Sequence, residues 1–317
     1  MSVVESADGA TTRAAGGPQV ACVNALSVDV EDWYHDESRG AGPATADEIS
    51  AGGARVERNL DQLLALLDAA GTRATFFFLA GVAEQHPRLT RAVADAGHEI
   101  ACHGLRHVPV ALRTREDVRD DVRRARAAIE DVTGARVLGF RAPCFVRDVK
   151  HLWLLDELAE AGFAYDSSWL PLRYVPGSAP RIGGTRGPVR LANGLWEFPM
   201  PVSSIAWHDL PVAAGGFALR ALPLSFVMRQ IRRFNREVGP AVVYTHPWEI
   251  DPESPKLPGT HSYVRFFNGV GRRTMAAKLA RLVRELPFAP LAEVYAKELA
   301  SDPTPDAHAL SAARPTR

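Results

Sequence analysis

The chain has 317 residues, enough for one large α/β domain, and its 46% apolar and 23% charged content is ordinary for a globular protein. The 37 basic residues balance 37 acidic ones, so charge gives no reason to expect nucleic acid or an anionic membrane as partner. The three cysteines, Cys22, Cys102 and Cys144, form no C-x-x-C pair, which argues against a cysteine zinc cluster and against a disulfide framework.

Residues 1–20 are rich in Ala, Gly, Ser and Thr and read as a disordered N-terminus without a secretory signal. Residues 23–30 are apolar and β-prone and end in acids. Residues 56–67 put Val56, Leu60, Leu63, Leu64 and Leu67 on one helical face, with Gly71 beyond it as a C-cap. The run ATFFFLA at 74–80 reads as a buried parallel strand. A helix over 87–96 has Pro in its first turn and Gly97 after its end, and 98–102 is the next strand. Thr114 caps a long helix with Asp117 three residues on; Val118, Val122, Ala125, Ile129 and Val132 form its apolar stripe, and Gly134 ends it. A strand over 137–140, a helix over 149–161 closed by Gly162, and a strand starting at 163 follow. Residues 172–223 are dense in Pro and Gly and read as a loop-rich insertion on the rim, with one short strand candidate at 195–198. Regularity resumes with a helix over 225–238, a strand over 241–245 and a helix over 274–286. Arg229, Arg232, Arg233 and Arg236 on the first of these helices read as a solvated face. The alternation predicts parallel strands with outer helices in a single domain over 21–299, completed by residues 224–299 and followed by a disordered tail over 300–317. No stretch is long and apolar enough to span a bilayer, and the expected location is cytoplasmic.

Active sites of parallel α/β proteins lie at the carboxyl ends of the strands. Here those ends carry Asp29, Glu31 and Asp32, then His103 and His107, then Arg141, Asp166 and His246. The i, i+4 spacing of His103 and His107 would, on one helical turn, let both imidazoles share a metal. A carboxylate from the acidic run would complete a two-histidine, one-acid site suited to zinc or another divalent ion. Acids set between apolar NALSV and the aromatic pair Trp33–Tyr34 need a compensating cation; a metal and Arg141 would provide it.

These residues resemble, in order, the five motifs of the polysaccharide deacetylase family (the NodB-homology domain, carbohydrate esterase family 4). Ser27-Val-Asp29-Val-Glu31-Asp32 is similar to the first, His103-Gly-Leu-Arg-His107 to the metal motif, and Gly139-Phe-Arg141-Ala-Pro143 to the arginine–proline motif. Tyr165-Asp166-Ser-Ser-Trp169 resembles the fourth and Val243-Tyr244-Thr245-His246 the fifth. The wording VDVEDWYH and YTHPWEID is similar to a bacterial branch associated with exopolysaccharides. The resemblance implies a distorted (β/α) barrel, usually seven-stranded, that removes acetyl groups from N-acetylated amino sugars of a carbohydrate substrate. It implies Asp29 as general base, His246 as general acid, Arg141 orienting Asp29, and Asp166 orienting His246. His103 and His107 would hold a divalent metal, most simply Zn2+. Because Val30 stands where the family's first motif has a second aspartate, the third ligand is open between Glu31, on the strand face of Asp29, and Asp32. A backbone N–H near Cys144 would bind the oxyanion, and Tyr244 would line the acyl pocket. Trp169 and Trp248, like Trp33, are candidates for stacking on sugar rings. Two other readings stay open at this point: a metal hydrolase of a small amide, imide or ureide, and an inactive glycan-binding protein.

Overall fold

The computed structural model describes residues 22–35, 45–172, 185–205, 208–255 and 262–301. Apart from Ala300 and Ser301, the expected terminal tails lie outside the described residues.

The strands are β1 (Asn24–Val30), β2 (Thr75–Phe78), β3 (Glu99–Cys102), β4 (Gly139–Phe140), β5 (Tyr165–Asp166), β6 (Val189–Arg190), β7 (Trp196–Glu197), β8 (Ser203–Ile205), β9 (His208–Leu210), β10 (Val242–Thr245) and β11 (Phe288–Ala289). The main sheet runs β10-β1-β2-β3-β4-β5-β7-β6, with β11 added beside β1. Every neighbouring pair from β10 to β7 is parallel, a series of seven strands, and β6 closes the edge antiparallel to β7. This is a mixed α/β fold whose curled sheet stays open, the half-barrel form of the expected distorted barrel.

Every residue of β1 is buried, because both sheet faces are covered. Leu26, Val28 and Val30, with Phe76, Phe78, Ile100 and Cys102, pack outward into a core shared with the helices. The alternate positions Ala25, Phe77 and Ala101 turn into the lumen, where Tyr165, Phe198 and Tyr295 fill the floor. Period-two alternation therefore also sends Ser27 and Asp29 inward.

The long helix spans Arg115–Thr133, with the Thr114–Asp117 capping box and a left-handed Gly134 at its end, as the sequence predicts. Asp121 is a buried acid on its packed face. Helix Leu224–Glu237 keeps Arg229, Arg232, Arg233 and Arg236 exposed, as expected of a solvated face. The segment expected to be loop-rich does more than cover a rim: β7 pairs in parallel with β5 and is the last strand of the parallel series. The predicted strand at 195–198 lies there. The hairpin β8–β9 forms a separate two-stranded sheet.

Candidate active site

The site is assembled from strand ends. Asp29 Oδ1 accepts a 2.7 Å hydrogen bond from Arg141 Nη1, which also donates to Ser27 Oγ at 2.7 Å. Arg141, just beyond β4, is fully buried. Its Nε donates to the Ser167 carbonyl at 3.0 Å, its Nη2 to the Ser167 hydroxyl at 3.1 Å, and its guanidinium lies 4.3 Å from the Phe77 ring centroid. A carboxylate held this way has one orientation and a fixed counter-charge.

Directly after β1 the chain turns: the Glu31 N–H donates to the Asp29 carbonyl at 3.0 Å. Glu31 is thereby brought beside Asp29. Its Oε2 lies 2.7 Å from His107 Nε2, and its Oε1 accepts from the Trp248 indole N–H at 3.2 Å. His103 Nδ1 lies 2.8 Å from the Arg141 carbonyl. A carbonyl only accepts, so Nδ1 carries the proton and Nε2 is the ring's ligand atom. Glu31, His103 and His107 are all buried, and each offers a ligand atom within 4.8 Å of the others. Two neutral-capable imidazoles and a carboxylate form a donor set that fits a divalent transition metal, zinc among them. Burial lowers the pKa of His103 to about 4, so it is neutral and ready to ligate. Burial works to raise Glu31, but the charges of His107 and His246 outweigh it and hold the acid well below the usual carboxylate range.

The two histidines do not share a helical turn. Residues 103–107 form a non-helical loop between β3 and a short helical turn at Val110–Leu112. The loop pivots at Gly104, whose φ of +88° suits glycine alone and whose Cβ would meet Asp121 Oδ1 at 3.2 Å. That same carboxylate oxygen accepts the Leu105 N–H at 3.0 Å. The i, i+4 spacing brings the rings together by loop geometry.

Asp32 is not a ligand candidate. Its Oδ1 accepts the Trp33 N–H at 2.7 Å, and burial raises its pKa to about 7. Of the two acids left open by the sequence, Glu31 is the one in the candidate group with His103 and His107.

His246, just beyond β10, faces three carboxylates. Nε2 is 3.5 Å from Glu31 Oε1 and 4.0 Å from Asp29 Oδ2, and Nδ1 is 3.5 Å from Glu249 Oε2. Burial works against its charge, but Glu31, Glu249 and Asp29 together raise its pKa to about 9. Asp166 is not the acid that orients it. The Asp166 carboxylate accepts the Ser168 hydroxyl at 2.5 Å and pairs with the buried Glu197. Glu249 takes the expected place. Its carboxylate accepts from the Thr245 hydroxyl (2.9 Å), the His246 N–H (3.1 Å) and Arg220 Nε (2.7 Å).

Asp29, Glu31, His107, Cys144, Tyr244 and His246 line one cavity of about 270 Å³, and Phe217, Arg220, Trp248 and Asn268 complete its wall. Cys144 and Tyr244 are thus at the cavity, as expected. Tyr244 is held edge-on to Phe145 at 5.0 Å and to His246 at 5.3 Å. A Cβ on Gly216 would sit 2.5 Å from the Tyr244 ring, so the Gly215–Gly216 pair makes room for it. Trp248 stacks on His246 at 5.1 Å. Trp169 does not reach the cavity: it is 2% exposed and packs in the outer core. Trp33 is buried against Tyr34 and Trp248. Sequence reasoning missed Glu249, Arg220, Phe217 and Asn268; the run His246-Pro-Trp-Glu249 was the one available signal.

Residues 45–164 match the polysaccharide deacetylase family model, and residues 167–296 match a domain of unknown function, DUF3473. Over residues 45–164 the chain is thus similar to the polysaccharide deacetylase family. A peptidoglycan deacetylase-like protein of Gibberella zeae is 34% identical over 109 residues, 34% of this chain and 31% of that protein. The peptidoglycan deacetylase of Helicobacter pylori is 28% identical over 137 residues, 43% of this chain and 45% of that protein. The matches therefore span less than half the length of these curated relatives. Among solved structures, a putative polysaccharide deacetylase from Mycobacterium smegmatis superposes with a TM-score of 0.57 at 23% identity, covering 92% of this chain and 97% of that one. Puue allantoinase gives 0.59 at 15% identity, covering 90% and 94%. At these identities the likeness is one of fold. The deacetylase match holds His103, His107 and Arg141, the DUF3473 match holds Tyr244, His246, Trp248 and Glu249, and Asp29 and Glu31 precede both. The cavity is thus shared between two family segments.

Proposed function

We propose that this protein is a metal-dependent hydrolase that removes the N-acyl group, most simply acetyl, from an amino sugar of a polysaccharide or glycan precursor. The observation that carries the reading is the grouping of Glu31, His103 and His107, with Glu31 and His107 lining one cavity together with Asp29 and His246. A divalent cation, most simply Zn2+, held by those three would polarise the amide carbonyl and make water more acidic. Asp29, fixed by Arg141, is the base that takes the proton of the attacking water. His246, on the cavity wall edge-on to Tyr244, hands a proton to the departing amine. Glu249, turned to Nδ1, orients the ring and favours its charged form. Residues Ala142, Pro143, Cys144 and Phe145 line the cavity, and a backbone N–H near Cys144 binds the developing oxyanion. Tyr244 closes the side on which the acyl methyl sits.

The test is an acetate-release assay on N-acetylated oligosaccharides beside a set of cyclic amides, before and after chelation. Acetate released from the sugars, lost on chelation and restored by metal, is the expected result. Turnover of the cyclic amides alone would overturn the substrate assignment. Asp29→Asn is expected to abolish turnover with metal retained, and equal activity in that variant would overturn the assignment of the base. His103→Ala with His107→Ala is expected to remove stoichiometric metal, measured by elemental analysis; metal retained there would overturn the ligand set.

A further inference from the structure

The cavity is smaller than the substrate the reading calls for. At about 270 Å³ it falls just below the range of roughly 300–1,000 Å³ in which ligand pockets usually lie. It has room for one sugar ring, so the rest of a glycan must rest on the rim. One part of the rim is built unlike the others. Phe217 lines the cavity and packs against Phe267 at 4.7 Å between ring centroids; Phe267 meets Phe266 edge-on at 5.8 Å. Phe267 is 48% exposed and Phe266 61% exposed, and Leu112 is the only described large apolar side chain more exposed than Phe266. An aromatic step thus climbs from the reaction cavity to the surface, with Asn268 of the same helix, Ser262–Gly269, lining the cavity beside it.

The step is anchored. Arg220 Nη1 donates to the carbonyls of Phe267 (2.9 Å), Asn268 (3.3 Å) and Val270 (2.9 Å), and its Nε holds Glu249 at 2.7 Å. Arg220 is 4% exposed. One buried guanidinium therefore ties the end of this helix to the acid beside His246. Rings fixed in place lose little freedom when a ligand covers them.

We propose that Phe266 and Phe267 form a second sugar subsite, on which the ring next to the reacting residue stacks. The inference rests on the deacetylase reading and names where its polymeric substrate lies. A pyranose shows an apolar C–H face to an aromatic ring, and continuity through Phe217 puts that face one ring away from the cavity.

The experiment compares N-acetylglucosamine with its β-1,4-linked tetramer, in wild type, F266A, F267A and F267W. Losing one aromatic contact is worth about 0.5–1.5 kcal/mol, or roughly two- to twelvefold. F266A and F267A are each expected to lower the preference in kcat/KM for tetramer over single sugar by that factor, through KM. F267W is expected to keep or raise the preference. Equal losses on both substrates, or no change in preference, would overturn the subsite. Calorimetric titration of the tetramer into the Asp29→Asn protein reads the subsite without turnover. Tetramer binding weakened by F266A supports it even if no acetate is released, a result that would sink the deacetylase reading alone. Tetramer binding to Asp29→Asn that F266A leaves unchanged would overturn the subsite itself.

Discussion

Glu249 and Asp166 are both buried acids near strand ends, and they are held by different partners. Glu249 takes the Arg220 guanidinium, the Thr245 hydroxyl and the His246 N–H, and stands 3.5 Å from the imidazole. Asp166 takes the Ser168 hydroxyl, which in turn accepts the Ala142 N–H at 2.7 Å. The first acts on a proton donor and the second on the backbone beside Arg141. Glu249→Gln is therefore expected to lower kcat about ten- to a hundredfold, at or below the low end of the range for loss of a general acid itself because the ring remains, with metal content unchanged. Asp166→Asn is expected to shift thermal stability while kcat moves severalfold at most. Steady-state kinetics on both variants, with circular dichroism as a check of fold, separates the two roles. The reverse pattern would restore Asp166 as the acid that serves His246. Asp29, His103, His107, Arg141 and His246 could be picked out in the chain because each follows a predicted strand, where parallel α/β folds gather their polar groups. Glu249 could not, because its meaning depends on Arg220, 29 positions earlier, and no local pattern joins the two.

At the scale of elements, long periodic segments were readable and short strands only in part. The capping box at Thr114 and the stripe through Ile129 define a helix by local chemistry. Strands β6 and β11 have two residues each, too few for any period to show, so their existence is decided by the sheet they join. The His103–His107 loop shows the same limit, since spacing fits a helical turn and a tight loop alike. Its shape depends on one glycine. Gly104→Ala is expected to cost about 1–2 kcal/mol, the usual penalty for a side chain in the left-handed region, and to weaken metal binding about tenfold by displacing Asp121 and the Leu105 N–H. Gly194, with φ +87° and nothing within 4 Å of a Cβ, is the control. Gly194→Ala is expected to cost similar stability and leave metal affinity alone. Calorimetric melting with metal titration on both variants checks this, and equal metal affinities would show that the loop is not positioned through Gly104.

Over the whole molecule, the lumen is sealed below the site by polar groups as well as apolar ones. Asp166 and Glu197 are adjacent at the parallel β5–β7 pairing, and Glu197 Oε1 accepts the Trp169 N–H at 3.1 Å. Burial raises both pKa values, and the charge and hydrogen bond of Asp166 push Glu197 further up. The folded pair therefore keeps a proton that the unfolded chain releases near pH 4. A folded pKa above the unfolded one gives stability that is full below the unfolded value. It declines as pH rises, until the folded pair itself ionises. Glu249, lowered to about 2 by His246 and Arg220 against the effect of burial, has the opposite sign and loses its contribution as pH falls. The total curve mixes both trends, so the pair must be read by difference. Glu197→Gln replaces a protonated acid by a neutral amide of the same shape and removes the titration. The unfolding free energy of wild type minus that of Glu197→Gln is expected to fall as pH rises above the range in which the unfolded carboxylate ionises, as measured by urea denaturation from pH 5 to 8. A flat difference would mean that both carboxylates are already ionised in the folded protein. Arg141, whose backbone and side chain adjoin this layer, would then be neutralising more charge than Asp29 alone.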